Sequence, residues 1–178
     1  MIFWTFLVVR HIKDGGITMT DMLIKLYEIE TQGSFEAEQK ALGITLRKPI
    51  GPEKHAIIAW VFEHFGGGWA SEVEVALSNQ PRTCIVAVKD SKMMGFACYD
   101  ATALGFFGPI GVAKSHRQKG TGKALLNACL LDMKNKGYAY AVVGGVTDTD
   151  FYKHNVAALE IPDSEPGIYR SRIKGPPD

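Results

Sequence analysis

The sequence contains little cysteine, and its three cysteines form no recognisable motif. Cys84, Cys98 and Cys129 are far apart, odd in number and include no Cys-x-x-Cys pair. This spacing argues against a disulfide framework and against a zinc site. We therefore expect no bound metal, and we predict reduced thiols in a cytoplasmic protein.

The chain also lacks both an excess of one charge and an apolar run long enough for a membrane span. Its formal net charge is +1, whereas a general nucleic-acid binder usually contains a strongly basic domain. The apolar run Ile2–Val9 is too short to cross a bilayer and lacks the flanks of a signal peptide. The length of 178 residues and the 46% hydrophobic content are typical of one soluble globular domain. We expect no nucleic-acid partner and no membrane partner.

The start of the natural protein is a separate question. Two interpretations of Ile2–Val9 stay open: a buried or edge strand, or a segment that is not native. Gly15 and Gly16 can be encoded by GGAGG, a ribosome-binding sequence, just before the codon of Met19. On this hypothesis the true start is Met19 or Met22. The predicted segments are a non-native or mis-started leader (1–21), an N-terminal extension (22–43) and the main domain (44–178).

The pattern of apolar residues predicts a mixed α/β arrangement. The predicted helices are Ser34–Ala41, Glu53–Phe65, Trp69–Ser78, Thr121–Lys136 and Asp150–Ala158. The predicted strands are Met22–Ile29, Ile44–Arg47, Cys84–Val88, Met93–Tyr99, Leu104–Val112, Tyr138–Val143 and Ile168–Ile173. Pro109 inside a strand indicates a bulge or an edge. This order, with one hairpin and one strand–helix–strand crossover, predicts an α+β fold in which helices flank a mostly antiparallel sheet.

The segment from Val112 to Leu126 carries the strongest chemical signal. A strand ends there, a loop follows, and an amphipathic helix begins, so the first helical N–H groups lack partners and suit a phosphate. Gly120 and Gly122 would let an anion approach the backbone closely. No Asp or Glu occurs from residue 101 to residue 131, so the local charge favours a polyanion.

Two common phosphate-binding motifs do not fit this segment. A Walker A loop requires glycine at position 117 and serine or threonine at position 124, where the chain has Arg117 and Ala124. A dinucleotide fingerprint requires glycine at position 125, where the chain has Leu125. On the glycines alone, an ordinary helix start with solvated basic residues stays open.

The run Val112, His116, Arg117, Lys119, Gly120, Gly122, Leu125 and Leu126 resembles the acetyl-CoA motif of the GNAT superfamily of acetyltransferases. The element order from Ile44 to Ile173 is also similar to that family. The resemblance implies that acetyl-CoA is the cosubstrate. It further implies that the backbone of Ile110–Val112 pairs with the pantetheine arm and polarises the acetyl carbonyl near Val112. The implied cosubstrate-binding residues are Ile110, Gly111, Val112, Arg117, Gln118, Lys119, Gly120, Thr121, Gly122 and Lys123.

The same resemblance implies that Tyr152 protonates the departing CoA thiolate. The chain departs from the family pattern around this tyrosine, at Gly145, Asp148, Val156 and Ala157. A general base is also expected, and its identity stays open among Glu63, His64, Tyr99, Asp100 and a water chain. The segment Gly66–Trp69 could be a mobile loop with an aromatic wall beside the acceptor, or a helix stop followed by a core tryptophan.

These residues leave more than one function open. The leading prediction is transfer of acetyl from acetyl-CoA to a primary amine of a small molecule, peptide or protein, by direct attack in a ternary complex. The alternative is a non-catalytic acyl-CoA-binding regulatory module. A third hypothesis is a domain for another phosphate ligand. The extension before Ile44 could cover the core or meet a second subunit, which leaves a homodimer open.

Overall fold

The computed structural model describes residues 12–13, 16–17, 19–30, 34–117 and 119–173. The strands are β1 (Ile12–Lys13), β2 (Gly16–Ile17), β3 (Thr20–Lys25), β4 (Thr45–Arg47), β5 (Cys84–Lys89), β6 (Lys92–Tyr99), β7 (Phe106–Val112), β8 (Tyr140–Val146) and β9 (Leu159–Glu160). The helices are α1 (Ser34–Ala41), α2 (Lys54–Phe65), α3 (Gly67–Ser78), α4 (Thr121–Asn135) and α5 (Thr149–Val156). The predicted apolar run Ile2–Val9 and the predicted site residue Gln118 lie outside the described residues.

The larger of two compact units runs from Lys25 to Ala141 and contains the antiparallel strands β4, β5, β6 and β7 in that order. Alternation along the strands gives the sheet two apolar faces. One face, which includes Val86 and Phe96, packs against α2 and α3. The other face packs against α4, where Gly95 lies close to the side chain of Leu125.

Helix α4 forms because its apolar residues recur at helical spacing. Its buried face includes Leu125, Leu126, Cys129, Leu130 and Met133. Gly137, with a φ of +97°, ends the helix as the sequence predicts. The three cysteines are buried and free, and burial raises the pKa of the Cys98 and Cys129 thiols. Burial of all three side chains gives the cysteines a packing role.

The smaller unit combines residues up to Ile24 with residues from Val142 onwards, and its strand order is β8, β3, β9. Strand β3 is antiparallel to β9, with Met22 opposite Glu160. The predicted strand Ile168–Ile173 is wrong, because Gly167–Ser171 forms a 3-10 turn. Pro166 and Gly167, which has a φ of +59°, start that turn instead of a strand.

The predicted fold class, an α+β fold with mostly antiparallel strands flanked by helices, is confirmed. Several boundaries differ from the prediction. Strand β3 stops at Lys25, and a 3-10 turn, Leu26–Glu28, replaces the end of the predicted strand. Helix α3 begins at Gly67 rather than at Trp69, so only Gly66 separates it from α2, which favours the helix stop over a loop. None of the helices within the described ranges has both the length and the apolarity needed to cross a membrane.

Candidate active site

The loop between β7 and α4 ends in a glycine that caps the helix without a side chain. Gly120 has a φ of +73°, a left-handed conformation that favours glycine, and occupies the N-cap position. Most helices place Ser, Thr, Asp or Asn there, and that side chain satisfies an N–H group. Ala124 is bonded in the ordinary helical way, its N–H donating to the Gly120 carbonyl at 2.9 Å. The N–H groups of Thr121, Gly122 and Lys123 therefore have no acceptor within the helix.

The second glycine of the loop leaves room in front of the helix. A Cβ atom placed on Gly122 would meet its nearest neighbour, Cγ2 of Val112, at 3.8 Å, an ordinary contact distance. Its φ lies outside the left-handed region, so no special backbone conformation requires glycine there. The absence of a side chain instead keeps the approach to the first helical turn open to a ligand.

Positive charge surrounds this helix start. The side chains of Lys114, Arg117, Lys119 and Lys123 are exposed around it. A pocket of about 380 Å³ opens beside the loop. It is lined by Leu42, Ile44, Lys89, Asp90, Lys92, Met94, His116 and Lys119. Four basic side chains and one carboxylate give the pocket a positive balance, which favours a phosphorylated ligand.

On β7, the backbone groups of the predicted site residues Ile110 and Val112 point away from β6. The Ala113 N–H donates to the Met94 carbonyl at 2.9 Å, and the register then alternates residue by residue. Because hydrogen-bonded and non-bonded pairs alternate in an antiparallel ladder, the peptide groups of Ile110 and Val112 point to the opposite edge of β7. These peptide groups are therefore not used in the ladder with β6. The Val112 carbonyl accepts a hydrogen bond from Nε of Arg117 at 3.2 Å, which ties the loop to the end of β7.

Strand β7 contains an irregularity at Pro109, where the sequence predicts a bulge or an edge. The register with β6 shifts between Ala97 and Tyr99, opposite Gly108 and Pro109, as predicted. Gly111, however, pairs in register with Phe96 and does not belong to the bulge. A Cβ atom on Gly111 would lie 2.6 Å from the Phe65 ring, so glycine is required there by packing on α2.

Tyr152 lies on α5, in the smaller unit. Helix α5 is capped by Asp148, whose Oδ1 accepts from the Phe151 N–H at 3.4 Å. The Tyr152 side chain is half-buried. Burial, and then the neighbouring Asp148 carboxylate, raise the pKa of the Tyr152 phenol. The phenol therefore keeps its proton at neutral pH, as a general acid must.

Two of the candidate general bases belong to a buried structural network. The Tyr99 hydroxyl donates to Asp132 at 2.6 Å, and the Tyr138 hydroxyl donates to Asp100 at 3.0 Å. The Asp100 carboxylate also accepts from the Gly105 N–H at 2.8 Å. Burial, together with the Asp132 carboxylate, raises the pKa of Tyr99. Since both groups hold turns and strands together, neither is placed to collect a proton from an amine.

The other two candidate bases lie on the exposed end of α2. Glu63 and His64 are both exposed. The His64 ring stacks on Trp60 with a centroid distance of 4.2 Å, and its Nδ1 contacts the Trp60 carbonyl at 2.9 Å. Phe65 stacks on Trp69 with a centroid distance of 5.0 Å, and a role of these rings beside an acceptor stays a prediction. The structure gives no reason to assign the base to any of the four candidates.

One residue near the loop was missed from the sequence. Gln39 of α1 hydrogen-bonds to the residues on both sides of Gly120. A single glutamine in a short polar helix carries no motif, and its contact with the loop is 80 positions away in sequence. Gln39 and the loop come into contact only when the chain folds.

The fold and the helix start define a class of α+β proteins in which helices flank a mostly antiparallel sheet and a central helix begins at a glycine N-cap. A model of the Acetyltransferase (GNAT) family matches residues 47–158. The chain therefore belongs to the GNAT family. A comparison with curated proteins gave no match.

Solved structures with the same fold are similar only at low sequence identity. A GCN5-related glucosamine N-acetyltransferase region of a fungal multidomain GH3 β-N-acetylglucosaminidase matches 80% of this chain with a TM-score of 0.66 and 15% identity. A GCN5-related N-acetyltransferase from Sphaerobacter thermophilus matches 80% of this chain with a TM-score of 0.59 and 17% identity. This chain spans 20% and 48% of the length of those two chains. At these identities the similarity shows the fold alone.

Proposed function

We propose that the protein is an acetyl-CoA-dependent N-acetyltransferase that transfers acetyl to a primary amine by direct attack in a ternary complex. The observation that carries the proposal is the start of α4, where a glycine N-cap leaves three consecutive N–H groups without a helical acceptor. Membership of the GNAT family supports acyl transfer as the reaction class. The three buried, free cysteines are compatible with the reducing cytoplasm, where we place the protein.

In this proposal the diphosphate of acetyl-CoA binds at the loop, through the backbone from Gln118 to Lys123. Helix N–H groups and the local positive charge both stabilise a diphosphate. The pantetheine arm pairs with the backbone of Ile110–Val112 in the manner of an added strand. A main-chain N–H at Val112 then polarises the acetyl carbonyl, because a fixed donor stabilises the oxyanion more than the ground state.

The chemistry requires one bond to form and one to break. The amine nitrogen attacks the acetyl carbonyl carbon and forms an amide bond, while the carbon–sulfur bond breaks and leaves the CoA thiolate. Tyr152 donates its proton to that thiolate, and the amine loses its own proton to solvent or to a base not yet identified. A lysine-like amine, with a reference pKa of about 10.4, must be deprotonated before it attacks.

The test combines a binding measurement with a turnover measurement. Calorimetry should detect CoA binding, with a lower Kd for CoA than for ATP or NAD. Tighter binding of ATP or NAD would instead favour a domain for another phosphate ligand. An acetyl-CoA-dependent thiol-release assay should then be run over amines, peptide N-termini and amino sugars, the last because the fungal region is named for glucosamine. CoA binding without turnover on the whole panel would favour the non-catalytic acyl-CoA-binding module.

A further inference from the structure

Helix α1 buries a polar residue and exposes almost everything else. Among its described side chains, residues 35–41, Gln39 is the one that is fully buried, with 2% of its surface exposed. Its neighbours Glu36, Glu38 and Lys40 are exposed. Burying an amide costs free energy unless both its donor and its acceptor are satisfied. A short helix that buries glutamine in place of an apolar residue therefore depends on specific hydrogen bonds.

The amide of Gln39 bonds to the residues on both sides of the glycine cap. Its Nε2 donates to the Lys119 carbonyl at 3.0 Å, and its Oε1 accepts from the Thr121 hydroxyl at 2.8 Å. Thr121 is 1% exposed, so its hydroxyl points into the protein rather than towards a ligand. Between these two bonds lies Gly120, the residue with the greatest conformational freedom in the loop.

The main chain of Gln39 is itself fixed to the start of β4. Its carbonyl accepts from the Ile44 N–H at 2.9 Å, and the Gly43 N–H donates to the Lys40 carbonyl at 2.9 Å. These two bonds, with Gly43 at a φ of +73°, form a Schellman motif that ends α1. Nζ of Lys89 on β5 donates to the Leu42 carbonyl at 2.8 Å. Gln39 thus projects from an anchored helix end and can hold the loop rigidly.

We propose that Gln39 is a positioning residue that holds the turn Lys119–Thr121 in the conformation that binds the diphosphate. It turns the Lys119 carbonyl towards α1, where this negative dipole cannot face a phosphate. It also fixes the left-handed Gly120, so that the following N–H groups are oriented before the ligand arrives. The inference rests on the proposed function. Gln39 lies before residue 47, where the family match begins, so the family match does not include it.

The test is the CoA affinity of Gln39→Leu, which keeps the volume of the side chain and removes both hydrogen bonds. We expect the calorimetric Kd for CoA to rise about tenfold or more, because without Gln39 the turn Lys119–Thr121 must be ordered when the ligand binds. The KM for acetyl-CoA should rise by a similar factor, while the KM for the amine stays unchanged. Glu38→Leu, on the exposed side of the same helix, is the matched control and should leave both values unchanged.

A second variant separates positioning from folding. Thr121→Val removes one of the two bonds and should weaken CoA binding less than Gln39→Leu, and the double variant should be less than additive. If Gln39→Leu does not fold, the CoA affinity of Thr121→Val tests the inference. A folded Thr121→Val variant that binds CoA as tightly as the parent overturns it. A folded Gln39→Leu variant with a Kd within twofold of the parent also overturns it. If the parent itself does not bind CoA, the proposed function fails and the inference fails with it.

Discussion

Single residues in this site act mainly through their backbone or through the absence of a side chain. Gly120 caps α4 without an oxygen, and Gly122 leaves the approach open. Gly111 looks similar in the sequence, yet it is glycine because the Phe65 ring fills the place of its Cβ atom. In the proposed function glycine therefore faces the ligand at two positions, whereas it has a packing role at the third.

Tyr152 carries the one side-chain role in the proposed chemistry. We expect Tyr152→Phe to lower kcat roughly 10²- to 10⁴-fold, the range for loss of a general acid, and to leave the Kd for CoA within about twofold. Because burial raises the pKa of this phenol above its usual value of about 10, the parent should not lose its acid as pH rises from 7 to about 10. Thiol release measured against pH for both proteins checks this.

An unchanged kcat in the Tyr152→Phe variant would show that the tyrosine is not the general acid. Intact CoA binding in that variant is the control, since it shows that the fold and the diphosphate site survive. If the variant is slow and also binds CoA poorly, the phenol has a structural role on α5 instead.

At the level of elements, the sequence predicted those parts whose periodicity is local. Helix α4 was predicted to within one residue because its apolar face, its glycine stop and its basic last turn all agree. The predicted strand Ile168–Ile173 is wrong because Pro166 and the left-handed Gly167 start a 3-10 turn there. Gln39 was missed because nothing local marks a glutamine whose partners are 80 and 82 positions away.

The start of α4 can be tested with a pair of substitutions at one position. Gly122→Glu places a negative charge in the first turn of a helix, where it stabilises the fold by about 0.3–1 kcal/mol, but directly in the path of a diphosphate. We expect CoA binding to be lost while the thermal midpoint is kept or raised. Gly122→Ala adds bulk without charge and should weaken binding less. Parental affinity in a folded Gly122→Glu variant would remove the proposed site.

The junction between β4 and α2 should be sensitive to acid. Glu53 accepts hydrogen bonds from Arg47 and from the Ile50 N–H at 2.8 Å, and the bond with Arg47 lowers the pKa of Glu53 to about 2. A carboxylate with a lowered pKa adds stability above its unfolded value, about 4.3, and that stability disappears as pH falls towards 2. Thermal midpoints between pH 6 and pH 2 should therefore fall more steeply for the parent than for Glu53→Gln. Parallel curves would contradict this account.

The smaller unit includes an N-terminal strand that the family match does not cover. Strand β3 lies between β8 and β9 in the smaller unit, and its residues Met22 and Ile24 are fully buried. The Oδ1 of Asp21 accepts from the Gly145 N–H at 2.8 Å, which holds Gly145 in a left-handed conformation with a φ of +63°. The departure from the family pattern at Gly145 thus has a structural reason in β3. The predicted division at residues 21 and 43 stays a prediction.

Truncation separates the two starts that the sequence suggests. A chain that begins at Met19 keeps all of β3, so we expect its thermal midpoint and CoA affinity to equal those of the full chain. A chain that begins at Met22 loses Asp21, whose N–H donates to Oγ of Ser164 at 2.8 Å and whose Oδ1 accepts from the Gly145 N–H at 2.8 Å. Each lost buried hydrogen bond costs about 1–3 kcal/mol, so this chain should unfold at a clearly lower temperature. Thermal unfolding of the three chains side by side measures this. Equal midpoints for all three would show that the residues of β3 before Met22 do not contribute to stability.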